Sequence, residues 1–154
     1  MAELKDDLDT LGGVAGSVKE QGNKRFIWAY CAGAETVGKV RSITFDGDEA
    51  TNPTAAAPGA LAGYQEIGVA TKTTTAAGFL WYQTKGDAEA LVEGTTDVAK
   101  DDFLEVLSTE TSFKKDNATR STNSVCIAQE AQASNASVLT NVYLTGERVI
   151  VASS

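Results

Sequence analysis

The side chains that could do chemistry in this sequence are mainly carboxylates. Glycoside hydrolysis needs only two acids about 5 to 10 Å apart, and the pairs to consider are Asp101 with Asp102 and Glu89 with Glu93. The chain has no histidine, which removes the imidazole base of Ser–His and Cys–His catalysis. It also lacks the P-loop, nucleophile-elbow and C-x-x-C patterns. Because both acidic pairs lie in polar stretches typical of a solvated surface, we predict that the chain has no catalytic residues and is not an enzyme.

The sequence offers little for a metal or a disulfide. Asp46, Asp48 and Glu49 resemble the start of a calcium loop, but the glycine and the distant glutamate of a complete loop do not follow. We therefore predict a solvated acidic turn, no metal and no cofactor. Cys31 and Cys126 could pair only if their Cα atoms came within about 7 Å, which sequence leaves open, and we expect two small apolar core residues.

Length and charge limit the possible functions. The chain of 154 residues has the size of one domain. Its formal net charge of -8 repels nucleic acid at long range, and its longest apolar runs are far shorter than the roughly 20 residues of a membrane-spanning helix. The acidic N-terminus has neither the basic region nor the apolar stretch of a secretory signal. We predict no nucleic-acid partner, no membrane and synthesis in a cytoplasm.

From Lys24 onward the sequence has the period-two alternation of β-strands. In KRFIWAYC, for example, Phe26, Trp28 and Tyr30 fall on one face. Similar runs are KVRSITF (39–45), YQEIGVAT (64–71), GFLWYQTK (78–85), DAEALVE (87–93), DFLEVLS (102–108), SVCIAQE (124–130), VLTNVYLTG (138–146) and RVIVA (148–152). Short strands separated by short polar turns predict an all-β fold, an antiparallel β-sandwich or barrel.

Two segments fall outside this alternation. We interpret residues 1–23 as an extended or partly helical N-terminal arm, either mobile or ordered on a partner. The apolar residues of this arm at helical spacing include Leu4, Leu8 and Leu11. Residues 46–63 hold both prolines and little that could be buried, which predicts a long surface loop. Residues 24–154, including that loop, are predicted to form a single β-domain.

The second half of the chain resembles the first. The alignment matches Ala70 to Ala128 and Val37 to Val98, and in both halves a strand leads to a V-G-K or V-A-K turn and ends in a strand closed by glycine. Such self-similarity predicts a duplicated β-unit of about 60 residues. The alternative is a chance similarity among strands rich in alanine and threonine.

Two strands carry large apolar groups on both faces. In GFLWYQTK, Phe79 and Trp81 share one face while Leu80 and Tyr82 share the other. An ordinary antiparallel sheet keeps one face in water, so these strands need a second layer, supplied either by another part of the chain or by another subunit. The candidate contacts with a partner are therefore Trp28, Trp81 and Tyr82, together with Leu4, Leu8 and Leu11 of the arm.

A succession of short motifs runs through roughly residues 24–146. The motifs are Ile67-Gly68-Val69-Ala70, the segment 78–86 with Trp81 and Gln83, Val98-Ala99-Lys100-Asp101, Cys126-Ile127-Ala128 and Val142-Tyr143-Leu144. This succession resembles the small β-rich capsid decoration proteins, also called cement or head-stabilising proteins, of tailed bacteriophages. Cys126 stands where the pattern of that family has glycine, and the loop 46–63 is not part of the pattern.

The resemblance implies a structural virion protein that is synthesised in the host cytoplasm and added to the outer surface of the phage head. It implies binding to the major capsid protein, stabilisation of the shell by bridging of capsid subunits, and a homo-oligomer, with a trimer favoured. The alternatives are a tail or neck component of a phage and a carbohydrate-binding β-sandwich that uses Trp28 or Trp81 as a stacking platform.

Overall fold

The computed structural model describes residues 16–44, 54–56, 64–116 and 124–150, and within these ranges the regular elements are all β-strands. The strands in chain order are β1 (Val18–Gln21), β2 (Lys24–Cys31), β3 (Val40–Thr44), β4 (Thr54–Ala56), β5 (Tyr64–Ala70), β6 (Gly78–Glu93), β7 (Phe103–Glu105), β8 (Phe113–Lys115), β9 (Ser124–Ala128), β10 (Ser137–Leu144) and β11 (Val149–Ile150). The predicted all-β fold is confirmed.

Five strands of the first half of the chain close into a barrel. β2 pairs antiparallel with the first half of β6, β6 with β5, β5 with β3, and β3 with β4. β4 then returns to β2 in a parallel pairing, with Tyr30 opposite Thr54 and Cys31 opposite Ala55. Since this circuit of hydrogen-bonded strands closes on itself, we call it the first barrel.

A second circuit closes in the same way. The second half of β6 pairs antiparallel with β10, β10 with β9, β9 with β7, and β7 with β8. β8 returns to β6 in a parallel pairing, with Val92 opposite Phe113 and Glu93 opposite Lys114. This circuit is the second barrel, and it shares β6 with the first.

The two barrels have the same order and the same pairing of their strands. The N–H of Gly38 donates to the carbonyl oxygen of Ala70 at 2.9 Å, and the N–H of Asp101 donates to that of Ala128 at 2.7 Å. Gly38 and Asp101 also share a positive φ, at 87° and 72°. The predicted duplication is therefore present as a structural repeat, in which Ala70 and Ala128 are equivalent as the sequence alignment proposed.

The other half of that alignment was wrong by two positions. Val98 is equivalent to Glu35 and not to Val37, because the isolated bridge between Val98 and Gln132 has its counterpart in the bridge between Glu35 and Thr74. The error arose because the similar segments V-G-K and V-A-K were matched to each other although they are not equivalent in the structure. The turn residue of positive φ is a glycine in the first unit but an aspartate in the second, so glycine does not mark the equivalent positions.

β6 is one continuous strand, not the two strands predicted on either side of Gly86. It is the last strand of the first barrel and the first strand of the second. Gly86 has a φ of 93°, which is far from strand geometry. The amide of Gln83 donates to the carbonyl oxygens of Lys85 and Asp87, at 3.0 and 2.7 Å, and so holds the chain on both sides of Gly86. The strand passes from one barrel to the other at this residue.

Replacing Gly86 by alanine is expected to lower the free energy of unfolding by at least about 2 kcal/mol, since a positive φ alone costs an L-residue roughly 1 to 2 kcal/mol. A β-carbon at Gly86 also lies 2.7 Å from the carbonyl oxygen of Asn23, which is backbone and cannot rotate away. The matched control is Gly78→Ala, since a β-carbon there meets no atom within 4 Å. Urea denaturation measures both variants, and equal midpoints would contradict the role assigned to Gly86.

Three strands were missed by the sequence prediction. β1 lies inside the segment 1–23 assigned to the arm and pairs antiparallel with β2, so this part of the segment is in the sheet. β4 lies inside the segment 46–63 that was predicted as a long surface loop, and it pairs with both β2 and β3. β8 completes the second barrel. The predicted features that lie outside the described residues are Leu4, Leu8 and Leu11 and the acidic turn Asp46, Asp48 and Glu49.

The apolar core runs through both barrels. The interior of the first barrel holds Ile27, Ala29, Cys31, Ile43, Ala70, Leu80 and Tyr82. The cluster of the second barrel also contains Val40, Ile67 and Val69 from the first barrel, so the barrels pack on each other through a shared core. Cys31 and Cys126 are buried free thiols in different clusters. The expectation of two apolar core cysteines is confirmed.

Candidate binding surfaces

The outer face of the first barrel carries a cluster of aromatic rings under β1. Trp28 and Trp81 pack edge to face with ring centroids 5.0 Å apart, and Phe26 and the partly buried Phe79 belong to the same cluster. The ammonium group of Lys19 in β1 lies 4.3 Å from the ring centroid of Trp81 and 4.8 Å from that of Phe26, a cation–π arrangement. The sequence predicted a second layer over these rings, and β1 forms part of that layer.

The predicted partner contacts that the structure describes are all buried. Trp28 is 3%, Trp81 1% and Tyr82 0% exposed, and Tyr82 lies inside the first barrel. The single chain therefore presents none of these rings to a partner. Their assignment as partner contacts, like that of the leucines in the arm, stays a prediction. Trp28 and Trp81 were also considered as stacking platforms for a sugar, and both are buried.

A buried ion pair lies at one end of the first barrel. Glu35 is 1% exposed and accepts hydrogen bonds from Nε and Nη2 of Arg41, both at 2.9 Å. The hydroxyl of Tyr82 donates to Glu35 at 2.7 Å, and the thiol of Cys31 lies 3.6 Å from the same carboxylate oxygen. The residues come from β2, β3, β6 and the turn after β2, so the ion pair joins three strands of the barrel.

The pKa shifts of this cluster have clear physical causes. Burial alone raises the pKa of Glu35, but the hydrogen bonds from Arg41 and Tyr82 and the positive charge of Arg41 outweigh it, so that the pKa lies below its ordinary value of 4.5. Burial, followed by the hydrogen bond to Glu35, raises the pKa of the Tyr82 hydroxyl. The carboxylate is held ionised by fixed protein donors, which is the arrangement of a structural ion pair.

The acidic pairs considered for hydrolysis are engaged in local contacts. Asp102 accepts hydrogen bonds from the N–H of Ala99 at 2.8 Å and pairs with Lys115 at 3.0 Å, and these contacts, the first above all, lower its pKa. The hydrogen bond from Thr95 is the main cause of the lowered pKa of Glu93. The general acid of a glycosidase needs a raised pKa, so neither Asp102 nor Glu93 fits that role.

A groove of about 410 Å³ lies where the two barrels meet, beside Gly86. Its walls include Lys24 and Gln83 from the first barrel and Asp87, Glu89, Gln129 and Asn141 from the second. The side-chain amide of Gln129 donates to Asp87 at 2.6 Å, and the carboxylates of Asp87 and Glu89 are exposed. The groove is lined by amide and carboxylate groups together with apolar side chains, which include Phe26 and Val69.

An exposed apolar pair marks the start of β10. Val138 is 42% and Leu139 41% exposed, and Leu139 lies opposite Leu91 in the pairing of β10 with β6. Since successive side chains of a strand point to opposite faces, Val138 and Leu139 expose apolar groups on both faces of β10. We call Val138 and Leu139 the apolar pair.

Within the described ranges, no three His, Cys, Asp or Glu side chains are grouped so that they could hold a metal ion. In the same part of the chain, no helix has the length and apolar character needed to cross a membrane.

Comparison with known proteins gives a likeness of fold. No protein family model and no curated protein matches the sequence. Among solved structures, the chain is similar to one described as "the crystal structure of head fiber gp8.5 N base in bacteriophage phi29", with a TM-score of 0.51 and 13% sequence identity. The likeness covers 80% of this chain and 96% of that chain. At this identity it shows the fold alone, and nearly the whole fibre base has a counterpart here.

Proposed function

We propose that this chain is a structural virion protein attached to the outer surface of a phage head. The observation that carries the proposal is the likeness of fold to a head fibre base, which extends over 96% of that structure. The motif resemblance to capsid decoration proteins supports the same location from the sequence. The net charge of -8 fits a protein that must not bind the packaged DNA.

The partner in this proposal is the major capsid protein, and the chain acts as a homotrimer that bridges capsid subunits. The leucines of the N-terminal arm are assigned to the capsid contact. The apolar pair, Val138 and Leu139, is assigned to contacts between copies of the chain because large apolar groups in water favour association. Many copies on one shell can make individually weak contacts collectively strong. Light scattering of the purified chain measures its oligomeric state.

The head is preferred to the tail or neck because the similar structure is described as part of a head fibre. The carbohydrate-binding alternative receives less support, because Trp28 and Trp81, the rings that would stack on a sugar, are covered in the structure.

The purified chain is expected to cosediment with expanded, DNA-free heads of the virus that encodes it, up to a saturating number of copies. Deletion of residues 2–15 is expected to lower the occupancy at least about tenfold, since a lost apolar anchor of three leucines exceeds 1.4 kcal/mol. The deletion ends before Gly16, whose N–H bonds to the carbonyl oxygen of Trp28, so β1 is retained.

A matched pair of variants separates the apolar contact from the charge of the arm. Serine replaces Leu4, Leu8 and Leu11 in one variant and Asp6, Asp7 and Asp9 in the other. We expect only the leucine variant to lose binding. Full occupancy without the arm would contradict the role given to the arm, whereas a full-length chain that never sediments with heads would contradict the proposed function itself.

A further inference from the structure

The second barrel has a strand edge that faces the groove. The carbonyl oxygen of Asn141 in β10 accepts from the N–H of Gln129, and the N–H of Asn141 donates to Glu130. Asn141 lies opposite Glu89 in the pairing with β6, so these two residues form a pair without hydrogen bonds between them. The N–H and the carbonyl of Glu89 therefore point away from β10. The N–H of Leu91, two residues further on, points the same way and bonds to Gly38.

The equivalent edge of the first barrel shows that an extended strand can pair with a backbone edge of this kind. Glu89 is equivalent to Trp28, because Trp28 lies opposite Trp81 as Glu89 lies opposite Asn141. In the first barrel the carbonyl oxygen of Trp28 accepts from the N–H of Gly16 at 2.8 Å, and the N–H of Trp28 donates to Ser17 at 3.0 Å. β1 continues this pairing along β2. At the equivalent edge of the second barrel, no described residue pairs with the backbone of Glu89.

The space at this edge is short and its side chains are acidic. Gly38 occupies the position beside Leu91, and the carbonyl of Asn23 crowds Gly86 at the other end, so a guest strand can pair over only a few residues. In the first barrel Lys19 of β1 lies opposite Phe26. The residue equivalent to Phe26 is Asp87, which is exposed and accepts a hydrogen bond from the amide of Gln129 at 2.6 Å, so a carboxylate stands where the first barrel has an aromatic ring.

We propose that the groove between the barrels binds a short extended segment of a partner polypeptide by strand addition to the backbone of Glu89, with a lysine or arginine of that segment directed at Asp87. Main-chain hydrogen bonds give such sites their affinity, and alternate side chains give them specificity. The proposal goes beyond attachment to a head and does not depend on it, since it concerns the edge of the second barrel in the isolated chain.

The probe is an acetylated peptide of residues 15–19, AGSVK, added to the full-length chain. It carries the glycine, serine and lysine that occupy the equivalent edge of the first barrel. We expect the backbone amide NMR signal of Glu89 to shift on titration and its hydrogen exchange to slow. A peptide with N-methylated glycine, which cannot donate to Glu89, is expected to bind about tenfold more weakly, and a peptide with glutamate in place of lysine at least about fivefold more weakly.

Variants of the protein complete the test. Glu89→Pro removes the N–H that faces the groove without removing a hydrogen bond to β10, and proline is tolerated at such an edge. Because this variant has no amide signal at residue 89, binding is followed in wild type and variant alike by the amide signals of Ala88 and Ala90, which we expect to shift in the wild type only. Asp87→Asn keeps the backbone and is expected to weaken only the lysine peptide. Equal binding of the N-methylated peptide, or shifts confined to Trp28 because the peptide displaces β1, would overturn the proposal. So would a groove that binds a neutral oligosaccharide and no peptide.

Discussion

Replacing Glu35 by glutamine is expected to lower the free energy of unfolding by about 3 kcal/mol at neutral pH, the usual order for breaking a buried ion pair from one side. The substitution leaves the side chain of Arg41, which is 14% exposed, without its counter-charge. The loss comes from the unpaired charge more than from the missing contact. The double variant Glu35→Gln with Arg41→Met is therefore expected to lose clearly less than the sum of the two single variants. Additive losses in urea denaturation would contradict the coupling.

The effect of Glu35 depends on pH in a definite direction. Its pKa in the folded chain lies below 4.5, the ordinary value that it has in the unfolded chain. Its contribution to stability is therefore fully present above pH 4.5 and is lost as the pH falls through the lower pKa of the folded chain. The difference in unfolding free energy between wild type and Glu35→Gln should be constant above this pH and shrink below it. A difference that grows on acidification would contradict the assignment.

Replacing Trp81 by alanine is expected to lower the free energy of unfolding by about 3 to 5 kcal/mol, as for other buried large rings. Trp81 is 1% exposed, packs against Trp28 and lies under the ammonium group of Lys19. This result would distinguish a core residue from the partner contact that the sequence suggested. A side chain that contacted only a partner could be replaced by alanine with little change in the unfolding free energy of the isolated chain.

The matched control for Trp81 is phenylalanine. The indole N–H of Trp81 has no hydrogen-bond partner among the described residues, so phenylalanine loses ring volume and no hydrogen bond. We expect Trp81→Phe to cost less than half as much as Trp81→Ala, measured by thermal and urea denaturation. An alanine variant as stable as wild type would show that the ring is not part of the core.

The alternation of apolar residues was enough to predict the long strands. KRFIWAYC coincides with β2 from end to end, and β5, β9 and β10 begin within one residue of their predicted starts. The short strands β4 (TAA) and β8 (FKK) were missed because neither lies in a longer run of alternating apolar residues, as the equally short β7 does. Each is a strand because it closes a barrel, a long-range condition that leaves no local signal.

The buried ion pair carried a weak signal in the sequence. Arg41 shares a face of β3 with Ile43, which is a core residue. A charged residue on an apolar strand face must find a partner when it is buried. That partner, Glu35, lies in the turn after β2, where the strand period no longer tells which way a side chain points. Only the closed barrel brings the two together.

The structural repeat shows how the two-faced strands of the first barrel obtain a second layer within the chain. One outer face of the repeat carries aromatic rings and is covered by β1, while the equivalent face carries Glu89 and Asn141 and meets water. The first face is satisfied within the chain. Sites for other molecules are then to be sought on the second barrel, at the groove and at the apolar pair.

The most direct test of the account is a cryo-electron microscopy reconstruction of heads saturated with the purified chain. We expect extra density on the outer surface at local symmetry axes, into which the two linked barrels fit, absent from undecorated heads. Density on the inner surface, at the neck or tail alone, or no added density at saturation would contradict a protein of the outer head.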